Sequence, residues 1–244
     1  KNRVVHMIIY IFNNNLLKKM ILPEKIGGVY QLFGKNNIFL GTVGLEHYQI
    51  TDIALKVKTI IPDEYYFYTK TVEQEVATTL NKRFSNIKKT TIKETLKQSK
   101  LTKYQKSNPN SLDYFHRLKL ALCLALIQRP ELLLLDNILA KLTPSEKTEI
   151  MTYLNTYREE NKISIIMTCS NLDDSLYGDY LYVIKDSQII LEGKPLEVLE
   201  NDNIINKVGL ELPFMIDLSV KLRDYELLTT IETDMDRMVN ILWK

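Results

Sequence analysis

Arg129-Pro130-Glu131-Leu132-Leu133-Leu134-Leu135-Asp136 predicts a strand buried on both faces, since four successive leucines leave no polar side to turn toward water. The strand ends in an acid. Before it, Phe115–Gln128 is nearly all apolar and long enough for a helix. After it, Thr143-Pro144 supplies an N-cap residue and a proline at the first helical position, which predicts a helix over Pro144–Arg158. In phosphate-binding α/β proteins an acid at the carboxyl end of a core strand can hold Mg²⁺ through water. Many buried strands also end in Asp because that residue caps the following turn, so Asp136 alone leaves both readings open.

Working outward, extended runs at Val4–Phe12, Val29–Phe33, Lys56–Ile61, Ser164–Met167, Tyr180–Ile184 and Ile189–Leu191 are interleaved with helical patterns at Thr71–Leu80 and Thr91–Gln98. This alternation predicts an α/β core with a largely parallel sheet. Beyond Asn201 the strands stop and helical pieces broken by Pro213 follow. The expected organisation is a main domain over 1–200, with a helical insert at about 71–128, and a C-terminal helical appendage over 201–244.

Composition sets limits on partners and compartment. The 244 residues carry 32 Lys and Arg against 30 Asp and Glu, and a net charge of +2 gives no reason to expect nucleic acid as a partner. Cys123 and Cys169 sit in apolar surroundings and form neither a metal cluster nor a disulfide framework, which predicts a reducing compartment. The longest apolar run, Leu120–Ile127, is far short of the about 20 residues that cross a bilayer, and the N-terminal Met7–Phe12 run leads into three asparagines rather than a cleavage site. Eight glycines are about half the usual ~7%, so any Gly-rich loop is short of its main ingredient.

Taken together, the Arg129–Asp136 strand, Leu142–Tyr157, Ile163–Thr168, Leu181–Asp202 and Gly209-Leu210-Glu211-Leu212-Pro213-Phe214 resemble the second half of an ABC-type ATPase. The last two stretches are similar to the ATP-binding subunits of energy-coupling-factor importers for cobalt and vitamins. Upstream, Leu16–Gly34 resembles the strand that leads into that family's phosphate loop, and Thr71–Ala77 the segment after its glutamine loop. The resemblance implies an ABC-type P-loop ATPase fold, ATP with Mg²⁺ as ligands, and an aromatic at Tyr10 or Phe12 stacked on adenine.

Placed by that resemblance, the catalytic positions are almost all replaced. A phosphate loop needs glycines whose backbone N–H groups cradle phosphate, a lysine reaching the outer phosphates and a hydroxyl on Mg²⁺. Here Gly34-Lys35-Asn36-Asn37-Ile38-Phe39-Leu40-Gly41-Thr42 puts Phe39 at the second glycine, Leu40 at the lysine and Gly41 at the hydroxyl. If nucleotide binds, Gly34, Lys35, Asn36, Asn37, Gly41 and Thr42 face its phosphates and Asp136 its metal, but Phe39 and Leu40 argue against tight binding. The glutamine loop falls at Thr59–Asp63 and holds no glutamine; the Leu-Ser-Gly-Gly-Gln signature becomes Leu112-Asp113-Tyr114-Phe115-His116. Asn137 replaces the general-base glutamate, Ala140–Thr143 lacks the dimer-contact aspartate, and Cys169 stands at the switch histidine. His116 could supply a polar contact at the glutamine's place.

Only 28 residues separate Thr42 from Thr71, short for a loop-following helix plus the hairpin that supports the base. The expectation is therefore a degenerate, non-hydrolysing ATP-binding subunit of an energy-coupling-factor-type importer. It would be a structural partner of a second ABC-type ATPase and a membrane coupling subunit, peripheral on the cytoplasmic face of the membrane. Two alternatives stay open, a working transport ATPase and a pseudo-ATPase binding module without a transporter.

Overall fold

The computed structural model describes residues 7–12, 39–40, 43–44, 56–62, 65–85, 87–185 and 188–243. Strands and helices follow one another as β1 (Met7–Phe12), β2 (Phe39–Leu40), β3 (Val43–Gly44), β4 (Val57–Ile60), α1 (Val72–Arg83), α2 (Lys89–Gln98), α3 (Tyr114–Ile127), β5 (Leu132–Asp136), α4 (Pro144–Asn161) and β6 (Ser164–Cys169). After these come β7 (Tyr180–Lys185), β8 (Gln188–Gly193), α5 (Pro195–Leu199), α6 (Asp202–Lys207), α7 (Phe214–Asp224) and α8 (Met235–Leu242). The expected strand at Val29–Phe33 and the candidate residues Gly34, Lys35, Asn36, Asn37, Gly41 and Thr42 lie outside the described residues.

Two compact units result, one from described residues within Leu17–Met167 and the other from those within His6–Leu16 and Thr168–Lys244. In the first, β5 lies between β4 and β6. Strands β4 and β5 are parallel, with Val57 opposite Leu132 and Ile60 opposite Leu135. All four leucines of β5 are buried, the outcome expected of a strand covered on both faces. Glu131 fixes where the pairing begins: its N–H donates to Lys56 O at 2.7 Å, and its own carbonyl accepts from Ser164 N–H at 3.0 Å.

Helix α3 is buried along Leu118–Leu126, so it forms the unit's apolar centre rather than an amphipathic cover. Helix α4 starts where Thr143-Pro144 predicts. Thr143 and Glu146 form a reciprocal capping box, which satisfies two backbone donors that a helix start otherwise leaves open. Strands β2 and β3 pair antiparallel, Phe39 opposite Gly44 and Leu40 opposite Val43. The positions expected to hold the loop's second glycine and lysine are thus on a strand.

In the second unit β7 pairs in parallel with β1 and antiparallel with β8. Helices follow β8 without further strands, and Pro213 is the N-cap of α7. The buried hydroxyl of Ser219 on α7 donates to Glu232 O at 2.8 Å and accepts from Glu232 N–H at 3.0 Å, which pins the chain just before α8. Only Met238 of α8 is fully buried. Among the described residues no helix is long and apolar enough to cross a membrane.

Candidate functional site

Strand β5 delivers Asp136 to its carboxyl end and hands the chain to Asn137, whose φ of 49° is left-handed. Asn tolerates that conformation better than most residues because its short amide can bond locally. A tight turn follows, with Ala140 N–H donating to Asn137 O at 3.3 Å and Leu142 N–H to Leu139 O at 3.1 Å. Ile138 and Leu139 are buried beneath it.

The segment at which the resemblance expects the signature, Leu112–His116, leads into α3 and touches this turn. Asp113 is the N-cap and accepts from His116 N–H at 2.9 Å. The Tyr114 hydroxyl donates to Ile138 O at 3.0 Å, and the Lys141 ammonium lies 5.4 Å from the centre of the Tyr114 ring. Tyr114 therefore fastens the helix start to the turn after Asp136. Bare backbone is not presented there.

His116 stands in the first turn of α3, packed among its neighbours. Its side chain is only 20% exposed. Nδ1 sits 2.8 Å from both carboxylate oxygens of Asp113, and the ring packs on Tyr104 at 4.2 Å and Phe115 at 5.1 Å. Slight burial pushes the Asp113 carboxyl up, but the His116 N–H and imidazole outweigh it and hold the group below its ordinary range. Nδ1 of the imidazole is thus committed to its own helix start.

Mg²⁺ with a nucleotide needs one or two carboxylates plus phosphate oxygens, and Asp136 at the β5 end can supply the carboxylate. Among the described residues no group of three or more His, Cys, Asp or Glu gathers to hold a metal by itself. Asn137 does not fit the remaining chemistry, because a neutral amide cannot take a proton from attacking water. Cys169, in the second unit, is the last residue of β6, reduced and 3% exposed, as a structural cysteine would be. Phe12 ends β1.

Sequence reasoning missed a charged cluster in the first unit. Lys119, on the apolar α3, is 6% exposed and bonds Glu149 of α4 at 2.7 Å, while Lys100 approaches the same carboxylate at 3.5 Å. These residues border a cleft of about 420 Å³. The Lys119 hydrogen bond, opposed by burial and aided by both ammonium charges, holds Glu149 below its ordinary 4.5. A carboxyl depressed in the folded state stabilises fully above its unfolded value and loses that contribution as pH falls through the folded one. Urea midpoints should therefore drop below about pH 4.5, and less steeply in Glu149→Gln. At neutral pH, Glu149→Ala should cost about 1–3 kcal/mol by leaving the buried ammonium without its carboxylate. A variant as stable as the parent at both pH values would remove this cluster from the account.

No family model matches the chain. The energy-coupling factor transporter ATP-binding protein EcfA of Pediococcus pentosaceus is 26% identical over 230 residues, 93% of this chain and 81% of that protein. Among solved structures, cbiO1 from Clostridium perfringens, part of the ABC transporter complex cbiONQ, matches with a TM-score of 0.60 at 23% identity, covering 85% of this chain and 84% of that one. A dimeric ATP-binding cassette bound to ADP and Pi matches with a TM-score of 0.60 at 16% identity, over 78% and 85%. The fold is that of an ABC-type ATPase cassette, and the sequence is similar to energy-coupling-factor ATP-binding proteins.

Proposed function

We propose that this chain, a cassette in fold, is a degenerate and non-hydrolysing ATP-binding subunit of an energy-coupling-factor-type importer. It serves as the structural half of an ATPase pair that docks on a membrane coupling subunit at the cytoplasmic face. The observation that carries the reading is Asn137 at the exit of β5, where hydrolysis requires a carboxylate and the chain offers an amide. Tyr114 supports it by filling backbone space at the signature and tying it to Ile138. Nucleotide, if it binds, is held weakly, because Phe39 and Leu40 replace the glycine and lysine of the phosphate loop.

The pairing half of the proposal is supported by the C-terminal helices. Phe214, Leu227, Met235, Val239, Ile241 and Trp243 are 41–82% exposed, and Met235, Val239 and Trp243 recur every four residues along α8 and its C-cap. Its proposed occupant is the second ABC-type ATPase subunit. Tagged chain co-expressed with the ATPase and membrane subunits of an energy-coupling-factor importer should capture both. Val239→Asp with Trp243→Asp leaves buried Met238 in place and should reduce capture at least about tenfold, since about 1.4 kcal/mol is a tenfold change in affinity and such anchors often exceed it. Capture unchanged in a folded double variant would contradict the interface, and capture of the ATPase without any membrane protein would favour a free-standing binding module.

A further inference from the structure

We propose that the helical insert carries a docking face for the headgroups of an anionic bilayer. Ten of the 32 Lys and Arg but only three of the 30 Asp and Glu fall within residues 70–111. That stretch has a local net charge of +7 and leaves the rest of the chain at −5, an asymmetry hidden by the overall +2. All ten cations are exposed. Lys100 is ion-paired, with Glu149.

The helices array these charges. Lys89, Lys93 and Lys97 recur every four residues along α2, about 6 Å apart, with Leu96 buried on the inner side. Lys82 and Arg83 close α1, and Lys88 is the N-cap of α2. Beyond α2 come Lys103 and Lys106. Backbone bonds from Val72 N–H to Ser107 O and Glu73 N–H to Gln105 O set Lys106 beside the start of α1, and Asn110 bonds the backbone of Phe67, between Tyr66 and Tyr68. Tyr66 and Tyr68 alternate with buried Phe67, meet edge to face at 5.5 Å and are 65% and 87% exposed. Amphipathic rings next to ammonium groups suit the depth of lipid headgroups.

Charge type and distribution favour a lipid surface over nucleic acid. Nine of the ten cations are lysines, point charges suited to a diffuse anionic layer, while base and phosphate recognition draws on the planar fork of arginine. The field of a charged bilayer fades within about a Debye length, roughly 8–10 Å. An insert with a net charge of +7 is drawn to such a plane although the whole chain carries only +2. This proposal stands apart from the pairing above, since vesicles contain no protein partner.

The test is sedimentation of the full chain with vesicles of phosphatidylcholine alone and of phosphatidylcholine with a substantial fraction of phosphatidylglycerol. Binding is expected to the anionic vesicles only and to weaken as salt rises. Each lysine near an anionic surface is worth about fivefold, so replacing Lys88, Lys89, Lys93 and Lys97 by alanine should lower partitioning more than about tenfold. The same substitution at Lys162, Lys194, Lys207 and Lys221, exposed outside the insert, should change it about twofold or less. Should the first variant fail to fold, the unaltered chain still decides, because binding to neutral vesicles or salt-independent binding overturns the proposal. Absence of binding, equal loss in both variants, or displacement from vesicles by a single-stranded oligonucleotide at matched phosphate concentration also overturns it.

Discussion

Mg-ATP mixed with the purified chain is expected to release no phosphate above the uncatalysed background. General-base assistance typically contributes 10²–10⁴-fold, and Asn137 removes it. A group that meets transition-state charge is typically worth about 2.7–4 kcal/mol, and Leu40 and Cys169 stand where two such groups belong in the family that the chain resembles. These groups act as a unit, so their losses do not add, but the smallest single loss already removes most turnover. Asn137→Glu alone should not restore activity. It returns a base to the β5 exit at the cost of forcing a longer side chain into a left-handed φ, and it leaves the phosphate loop unchanged. Mg²⁺-dependent phosphate release that disappears in Asp136→Ala would show a working ATPase and defeat the reading.

The parts of the fold that are legible in the sequence are those whose cause is local. Four leucines in a row, set between Pro130 and an acid and too few for a helix, read as a covered strand, and Leu132–Leu135 are buried in β5. Thr143, Pro144 and Glu146 carry the whole start of α4 within four residues. Helix α2 begins at Lys89, two residues before the expected Thr91, because Lys88 caps it without a side-chain bond and leaves no start signal to read.

What stayed hidden depends on distant neighbours. Lys119 looks like a solvated charge until Glu149, thirty residues on, is set 2.7 Å away. His116 has Asp113 within reach on its own helix, but its burial also requires Tyr104. Tyr114 could be recognised as bulk in place of glycine; its bond to Ile138 O requires the turn after β5 to be built first. The chemistry of the replaced positions is plain from residue type alone, since an amide is no base wherever it lies.

Thermal unfolding with and without Mg-ATP tests the central claim, that this chain holds nucleotide too weakly to serve as a working ATPase site. A ligand bound only by the native state stabilises it by about 2.7 kcal/mol at a hundredfold excess over Kd, which for a chain of this size raises Tm by roughly 5–11 °C. The unaltered chain should show no shift at millimolar Mg-ATP. Phe39→Gly with Leu40→Lys and Gly41→Ser is the smallest change expected to bring back phosphate affinity, because it restores backbone access, the lysine and the hydroxyl together. An unmoved Tm for the unaltered chain is the result this account predicts. A clear upward shift with Mg-ATP, absent with sulfate or phosphate alone, would contradict it.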